Sequence, residues 1–208
     1  MADDGLRKRL FAQLLVWGGW RHEQLLAERK RALLGGLRGD VLEVGPGTGV
    51  NLAYLDPSVR WIAVEPNRFL RERAQAEAAR RGVRAEVLGG SAERLPLPDA
   101  SVDAVVSTLV LCSVADQSAA LREIRRVLRP GGRFVFVEHV GAPEGTALRR
   151  GQRFVKPLWR AVLDGCEPDR DTAAAIERAG FVGVALERFE TGIWLAGPHI
   201  AGSAAAPG

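Results

Sequence analysis

Cysteine is scarce in this chain. Two residues, Cys112 and Cys166, stand far apart in 208 positions, and no C-x-x-C occurs. Zinc knuckles and disulfide frameworks need more thiols at closer spacing, so both are excluded. A single bridge between the two stays open, with reduced thiols the better fit. Histidine is as sparse, scattered at 22, 139 and 199, so the spacing offers no metal-ligand cluster and no metal is expected. Long apolar runs are missing too. The longest early one, Leu10 to Trp20, is interrupted by Gln13, Gly18 and Gly19 and falls short of the roughly 20 residues a bilayer span needs. Met1 to Arg9 is polar and charged, without the apolar stretch of a secretory signal. A cytoplasmic chain with no membrane anchor is expected.

Lysine is rare as well. Of 29 basic residues only Lys8, Lys30 and Lys156 are lysine, leaving 26 arginines against 25 acidic residues and a net charge of +4. The pI of 9.7 therefore reflects arginine bias. Nucleic-acid binders gather their bases on one face, whereas here arginine alternates with glutamate, as in Arg71-Glu72-Arg73. Solvated helix faces and no nucleic-acid partner follow. A hydrophobic content of 47% with 26% charge is that of an ordinary globular chain, long enough for one domain.

What is present centres on Val41 to Asn51, Val-Leu-Glu-Val-Gly-Pro-Gly-Thr-Gly-Val-Asn. A short apolar strand (Val41, Leu42, Val44) breaks into Gly45, Gly47 and Gly49 and then enters a helical segment, Val50 to Tyr54. Glycine permits positive φ and close approach of a ligand to the backbone, and a helix start presents free N–H groups. A dinucleotide turn, G-x-G-x-x-G, needs glycine at 50, where this chain has Val50. A second strand, Arg60 to Glu65, ends in a carboxylate 20 residues past Gly45. That spacing suits an acid accepting hydrogen bonds from ribose hydroxyls, although a strand-end glutamate can also be merely solvated.

Further along, Asn67 caps a helix to Arg81 that Gly82 stops. Val83 to Leu88 is a third strand, followed by the loop Gly89-Gly90-Ser91-Ala92-Glu93-Arg94-Leu95-Pro96. Ser101 to Ser107 is a nearly all-apolar central strand, and Thr108 to Val114 lies at its ligand-binding end. Asp116 caps a helix bearing Leu121, Ile124 and Leu128, which Pro130-Gly131-Gly132 stops. Arg133 to Val140 is the fifth strand, carrying Glu138-His139 near its end. A segment rich in Arg, Gln and Trp runs from Thr146 to Ala161. A helix over Thr172 to Ala179 precedes an antiparallel pair, Val182 to Phe189 and Ile193 to Ile200, and the small, uncharged tail from Ala201 to Gly208 reads as frayed. Before all of this, Leu6 to Arg38 is helical by its leucine spacing, with a break at Gly18-Gly19 that makes it a helix pair. No repeat and no linker divides the chain.

An acidic residue followed by G-x-G-x-G is the signature of class I S-adenosylmethionine (SAM) methyltransferases, which this α/β layout resembles. Within them, Glu65-Pro66-Asn67, Thr-Leu-Val-Leu-Cys-Ser-Val at 108–114, Leu-Arg-Pro-Gly-Gly before Glu138-His139-Val140, Asp164-Gly165-Cys166 and Gly197-Pro198-His199-Ile200 resemble the methyltransferase-like-7 branch, the thiol S-methyltransferases. The resemblance covers most of Val41 to Gly202. It implies a Rossmann-like fold: a mostly parallel seven-stranded sheet with a C-terminal antiparallel hairpin and helices on both faces. The single domain, 1–208, then comprises an N-terminal helical lid, 1–38, and a catalytic core, 41–202. Eukaryotic members of the branch begin with a membrane anchor, a feature this chain departs from.

The resemblance further implies SAM as cofactor, with Glu43, Gly45, Pro46, Gly47, Thr48, Gly49 and Asn51 at the glycine turn. Glu65, Pro66 and Asn67 fall at the ribose, Ser91, Ala92 and Glu93 at the adenine, and Thr108, Leu109 and Val110 at the strand end. Family members often carry aspartate where Ser91 stands. The acceptor is a small molecule, with a thiol leading and oxygen, nitrogen or carbon of a metabolite as rivals. A SAM-binding regulator without catalysis is the reading from another class. Methyl transfer from a sulfonium is an in-line displacement needing alignment and exclusion of water, and a thiol acceptor reacts as its thiolate. His139 is placed to act as a base or to bond locally, and His199 to reach the site or to pack in the sheet. Trp17, Trp20, Cys112, Trp159 and Trp194 are candidates for the substrate pocket, and Cys166 is placed to sit beside the substrate with Cys112; the tryptophans can equally be packing residues, and the two cysteines apolar fillers.

Overall fold

The computed structural model describes residues 2–208, and of residues 2–4, 6, 7 and 14–21 only the backbone. The expectations placed on Trp17 and Trp20 fall outside the described side chains. The elements in chain order are α1 (Ala2–Leu34), β1 (Asp40–Val44), a 3-10 turn (Val50–Ala53), β2 (Arg60–Val64), α2 (Arg68–Arg81), β3 (Ala85–Leu88) and β4 (Val102–Thr108). They continue with α3 (Gln117–Val127), β5 (Leu128–His139), α4 (Ala147–Val162), α5 (Thr172–Arg178), β6 (Val182–Glu190) and β7 (Pro198–Ala205).

The seven strands form one sheet in the order β3-β2-β1-β4-β5-β7-β6. Pairing is parallel from β3 through β5, and β7 runs antiparallel to both β5 and β6. Alternate side chains sort onto the two faces, as period-two geometry requires. Leu42, Val44, Ile62, Val64, Val105, Phe134 and Phe136 pack with Leu121 and Ile124 of α3 and Ile176 of α5. Val41, Trp61, Ala63, Ala104, Val106 and Val135 pack with Leu34 of α1 and Ala74 and Ala78 of α2. Both faces are covered, which is why the central strands read as unbroken apolar runs. The order reverses between β1 and β4, and crevices for ligands open at the carboxyl ends of strands at such a point.

The caps behave as expected. Asn67 accepts from the Phe69 amide at 3.0 Å and Gly82 closes α2 with φ 65°; Asp116 accepts from the Ala119 amide at 2.9 Å. Other expectations need correction. α1 runs unbroken through Gly18-Gly19 as one 33-residue helix. Two internal glycines cost about 1 kcal/mol each, an amount the burial of Leu26 and Leu34 against the sheet readily offsets. Ile193 to Leu195 lie in a loop, and the last strand runs from Pro198 to Ala205, taking in the tail expected to fray. Its pairing continues past the strand, with Ala206 donating to the Gly132 carbonyl at 2.9 Å.

Small residues suit that place. A Cβ on Gly202 would lie 2.2 Å from the Ala185 carbonyl oxygen, so β7 fits between β5 and β6 because it carries almost nothing there. Among the described residues no helix is long and apolar enough to cross a membrane.

Gly202→Ala tests this fit. Forcing a methyl against backbone is expected to cost about 1–3 kcal/mol or more, read as a lower urea midpoint; an unchanged midpoint would show that the strand has room to spare.

Candidate active site

The turn after β1 is left-handed at every second residue: Gly45, Gly47 and Gly49 have φ of 57°, 58° and 81°. A Cβ at Gly45 would come within 2.6 Å of Val110 Cγ2, while one at Gly47 would meet no atom within 4 Å. The first glycine thus admits the loop after β4, and the second leaves open space over the backbone. Glu65, 5% exposed, accepts from the Asn67 amide at 2.9 Å and the Gly47 amide at 3.3 Å. Burial raises its pKa.

Two further carboxylates are fully buried, one on each side of β4. Glu43 accepts from Asn51 Nδ2 at 2.7 Å and Trp61 Nε1 at 2.9 Å, and the same Asn51 amide group reaches Thr108 Oγ1 at 2.7 Å. Glu138 accepts from Ser107 Oγ at 2.6 Å and from the Leu111 and Val110 amides at 3.1 and 3.2 Å. Burial pushes each of the two up to about 7. Between them the chain turns through Leu109 with φ 59°, an uncommon conformation for a side chain of this type.

These elements border one cavity of about 970 Å³, at the upper end for small-molecule sites. Gly45, Pro46, Gly47, Thr48, Glu65, Pro66, Ser91, Ala92, Glu93, Thr108, Leu109 and Val110 line it. Of the residues expected at a cofactor, Glu43, Gly49, Asn51 and Asn67 stand outside its wall and hold the lining loops in place. Glu93 turns its carboxylate to the Ala115 amide at 2.7 Å, tying the loop after β3 to the loop after β4. α1 closes one side with Phe11, His22, Glu23, Leu26 and Lys30. Lys30 pairs with Glu23 at 2.6 Å, and the Tyr54 hydroxyl donates to Glu23 at 2.8 Å.

The histidines that looked scattered converge. His22 and His199 meet Nε2 to Nε2 at 2.9 Å, and His199 Nδ1 lies 2.9 Å from the Gly197 carbonyl. A carbonyl only accepts, so His199 carries its proton on Nδ1 and receives one from His22 Nε2. Burial lowers both histidines to about 4, so both are neutral at physiological pH. His199 pairs with His139 across β5 and β7, their rings 5.7 Å apart.

The cysteines, too, come together. Their sulfurs lie 3.5 Å apart without a bond, and Cys166 Sγ is 3.9 Å from His139 Nδ1. The bridge left open in the sequence is therefore absent, and the absence of a ligand cluster is overturned: Cys112, His139 and Cys166 place their ligating atoms within 4.8 Å of one another. The hydrogen bond that Cys166 shares with Cys112, with His139 beside it, holds Cys166 low at about 5, whereas that same bond and burial push Cys112 up. Trp159 donates to Cys166 Sγ at 3.4 Å, joining the cluster. Trp194 is 81% exposed on the loop before β7, apart from the cavity its size suggested it would line. His22, Glu138 and Asp164 have no assigned role from sequence, whereas Cys166, like Cys112, is there a candidate beside the substrate or an apolar filler.

A glycine turn open to a cavity, a buried carboxylate at the end of the next strand, and a seven-stranded sheet with β7 reversed define a class I SAM-dependent methyltransferase. Residues 42–136 match the methyltransferase domain family. Human thiol S-methyltransferase TMT1A is 37% identical over 210 residues, covering 95% of this chain and 86% of that protein. Human TMT1B is 35% identical, covering 96% and 87%. The crystal structure of Bacillus subtilis YcgJ shares the fold, with a TM-score of 0.69 at 20% identity over 90% of this chain and 100% of that one. The chain belongs to the thiol S-methyltransferase family of SAM-dependent methyltransferases.

Glu43 yields a pH prediction. Its folded pKa of about 7 lies above the ordinary 4.5, so between those values the folded chain keeps a proton that the unfolded chain has released. Rising pH therefore favours unfolding. Urea-unfolding stability should fall between about pH 5 and about pH 8, and Glu43→Gln should flatten that part of the slope; parallel slopes in the two proteins would contradict it.

Proposed function

We propose that this enzyme methylates the sulfur of a small, largely apolar thiol. The carrying observation is that one cavity joins the glycine turn and Glu65 to the α1 wall, to Ser113 next to Cys112, and to Asp164 two residues before Cys166. Relatives named thiol S-methyltransferases support the acceptor. When bound, SAM supplies an electrophilic methyl on a sulfonium that leaves as a thioether.

In this reading Gly47 and Glu65 hold the cofactor's ribose and amino-acid end. The carboxylate of Glu65 trades its longer backbone partner, the Gly47 amide, for hydroxyl donors. Ser91 to Glu93 border the adenine, and the backbone of Thr108 to Val110, pinned by Glu138, sets the cofactor's depth. Phe11, Leu26 and Leu70 exclude water from the acceptor side. Exclusion matters because alignment of the sulfur supplies the greater part of the rate gain. α1 acts as the lid. Of the histidines first considered for proton transfer, His199 fixes the tautomer of His22 in the cavity wall, and His139 stands with the cysteines. Two unbridged thiols this close fit a reducing compartment such as the cytoplasm.

A labelled-methyl assay against small thiols, phenols and amines tests the acceptor. Thiols should be methylated, and turnover of phenols or amines without thiols would overturn the reading. Separately, Glu65→Ala removes hydrogen bonds to a charged group, which are worth about 1.5–3 kcal/mol. It should weaken SAM binding in calorimetry by about 10- to 100-fold, and unchanged affinity would refute the ribose assignment.

A further inference from the structure

Cys112, His139 and Cys166 reach their cluster from three elements that have no reason to meet in sequence. Cys112 sits in the loop after β4, His139 ends β5, and Cys166 follows α4. The meeting is enforced by backbone. The Glu167 amide donates to the Cys112 carbonyl at 2.9 Å, and Asp164 and Gly165 turn left-handed, with φ of 48° and 91°. A Cβ on Gly165 would lie 3.0 Å from the Ser113 carbonyl oxygen, so the Asp-Gly-Cys loop presses directly on the loop that carries Cys112.

Two of the three spans fit a soft divalent ion, and the third, Cys112 Sγ to His139, lies within 4.8 Å. Tetrahedral zinc with its usual bond lengths separates two sulfurs by about 3.8 Å, and a sulfur from an imidazole nitrogen by about 3.6 Å. The structure has 3.5 Å and 3.9 Å. His139 Nε2 is buried and makes no hydrogen bond; in the tautomer with its proton there, the Nδ1 lone pair lies beside Cys166. Three protein ligands of this kind make the open form of zinc site, in which a fourth position takes water or substrate. Ser113, next to Cys112, and Asp164, two residues before Cys166, line the cavity, so the buried cluster stands directly behind the wall of its acceptor end.

We infer that Cys112, His139 and Cys166 form a zinc site whose open position binds the acceptor thiol as its thiolate, an assignment that rests on the thiol reading above. The cysteines give up their protons to solvent as the ion enters. An incoming thiol then displaces the zinc-bound water: the zinc–oxygen bond breaks, a zinc–sulfur bond forms, and the thiol proton leaves to solvent. A metal-held thiolate is the nucleophile that methyl transfer to sulfur requires, obtained without a strong base.

The test uses the full-length protein, purified without a metal-binding tag. Elemental analysis should find about one zinc per chain. Cobalt(II) put in its place should give a sulfur-to-cobalt charge-transfer band that shifts on titration with 2-mercaptoethanol. Cys112→Ser with Cys166→Ser should lose both signals while still binding SAM. Should those variants fail to fold, added zinc should slow alkylation of the wild-type thiols by iodoacetamide at least about tenfold. No zinc, no charge-transfer band and no protection would overturn the site. A band that ignores the added thiol would overturn the substrate-binding part. Methylation of thiols by metal-free protein would remove the zinc and leave the proposed function standing. A metal-loaded protein inactive on every thiol would instead remove the proposed function.

Discussion

The end of β4 is held between two buried carboxylates, and most of the site depends on that arrangement. Glu43 stands on one side of it and Glu138 on the other, each without solvent. A carboxylate in such a place costs several kcal/mol unless donors surround it. The donors here are not incidental: Asn51 belongs to the turn after β1, and the Val110 and Leu111 amides belong to the loop after β4. Any displacement of either loop would strand a buried carboxylate. The loops that line the cavity are thus held by the same interactions that make burial of the acids tolerable.

That constraint also explains the strained backbone. Leu109 takes a positive φ, a conformation that persists only where surroundings over-determine it. Here Glu138 grips the two amides that follow, and the Leu109 amide donates to the Val137 carbonyl at 2.9 Å. Asp164, the other strained residue in the cavity wall, is fixed by the loop pressed against Ser113. Rigid walls on this side face α1 on the other, where Leu26 is buried while Glu23 and Lys30 pair beside the cavity. Alignment and exclusion of water need such stiffness more than they need a strong acid or base.

Much of the fold was legible because its signals are local. The glycine turn, the Asn67 and Asp116 caps and the alternating strands each depend on residues close in the chain. The hairpin at the end was legible in kind but not in register. Ile193, Trp194 and Leu195 look like a strand by β-propensity, whereas Ala201 to Ala205 do not. The packing of Gly202 against Ala185, a tertiary contact, reversed that order of preference. The unbroken α1 reflects the same lesson, since burial of leucines beyond Gly18-Gly19 outweighs a weak local penalty.

By itself, then, the sequence determined the class of enzyme and the neighbourhood of its cofactor, because a strand, a turn and a carboxylate 20 residues on are set by short-range geometry. It could not show the acceptor end. Cys112 and Cys166 are 54 residues apart, and His22 and His199 are 177 apart; no spacing rule connects them. The insertion of β7 beside β5 puts His199 across from His139, and α1 lying over the sheet brings His22 to His199. Only the register of the closed sheet, decided by which small residues fit between two strands, brings those side chains to one place.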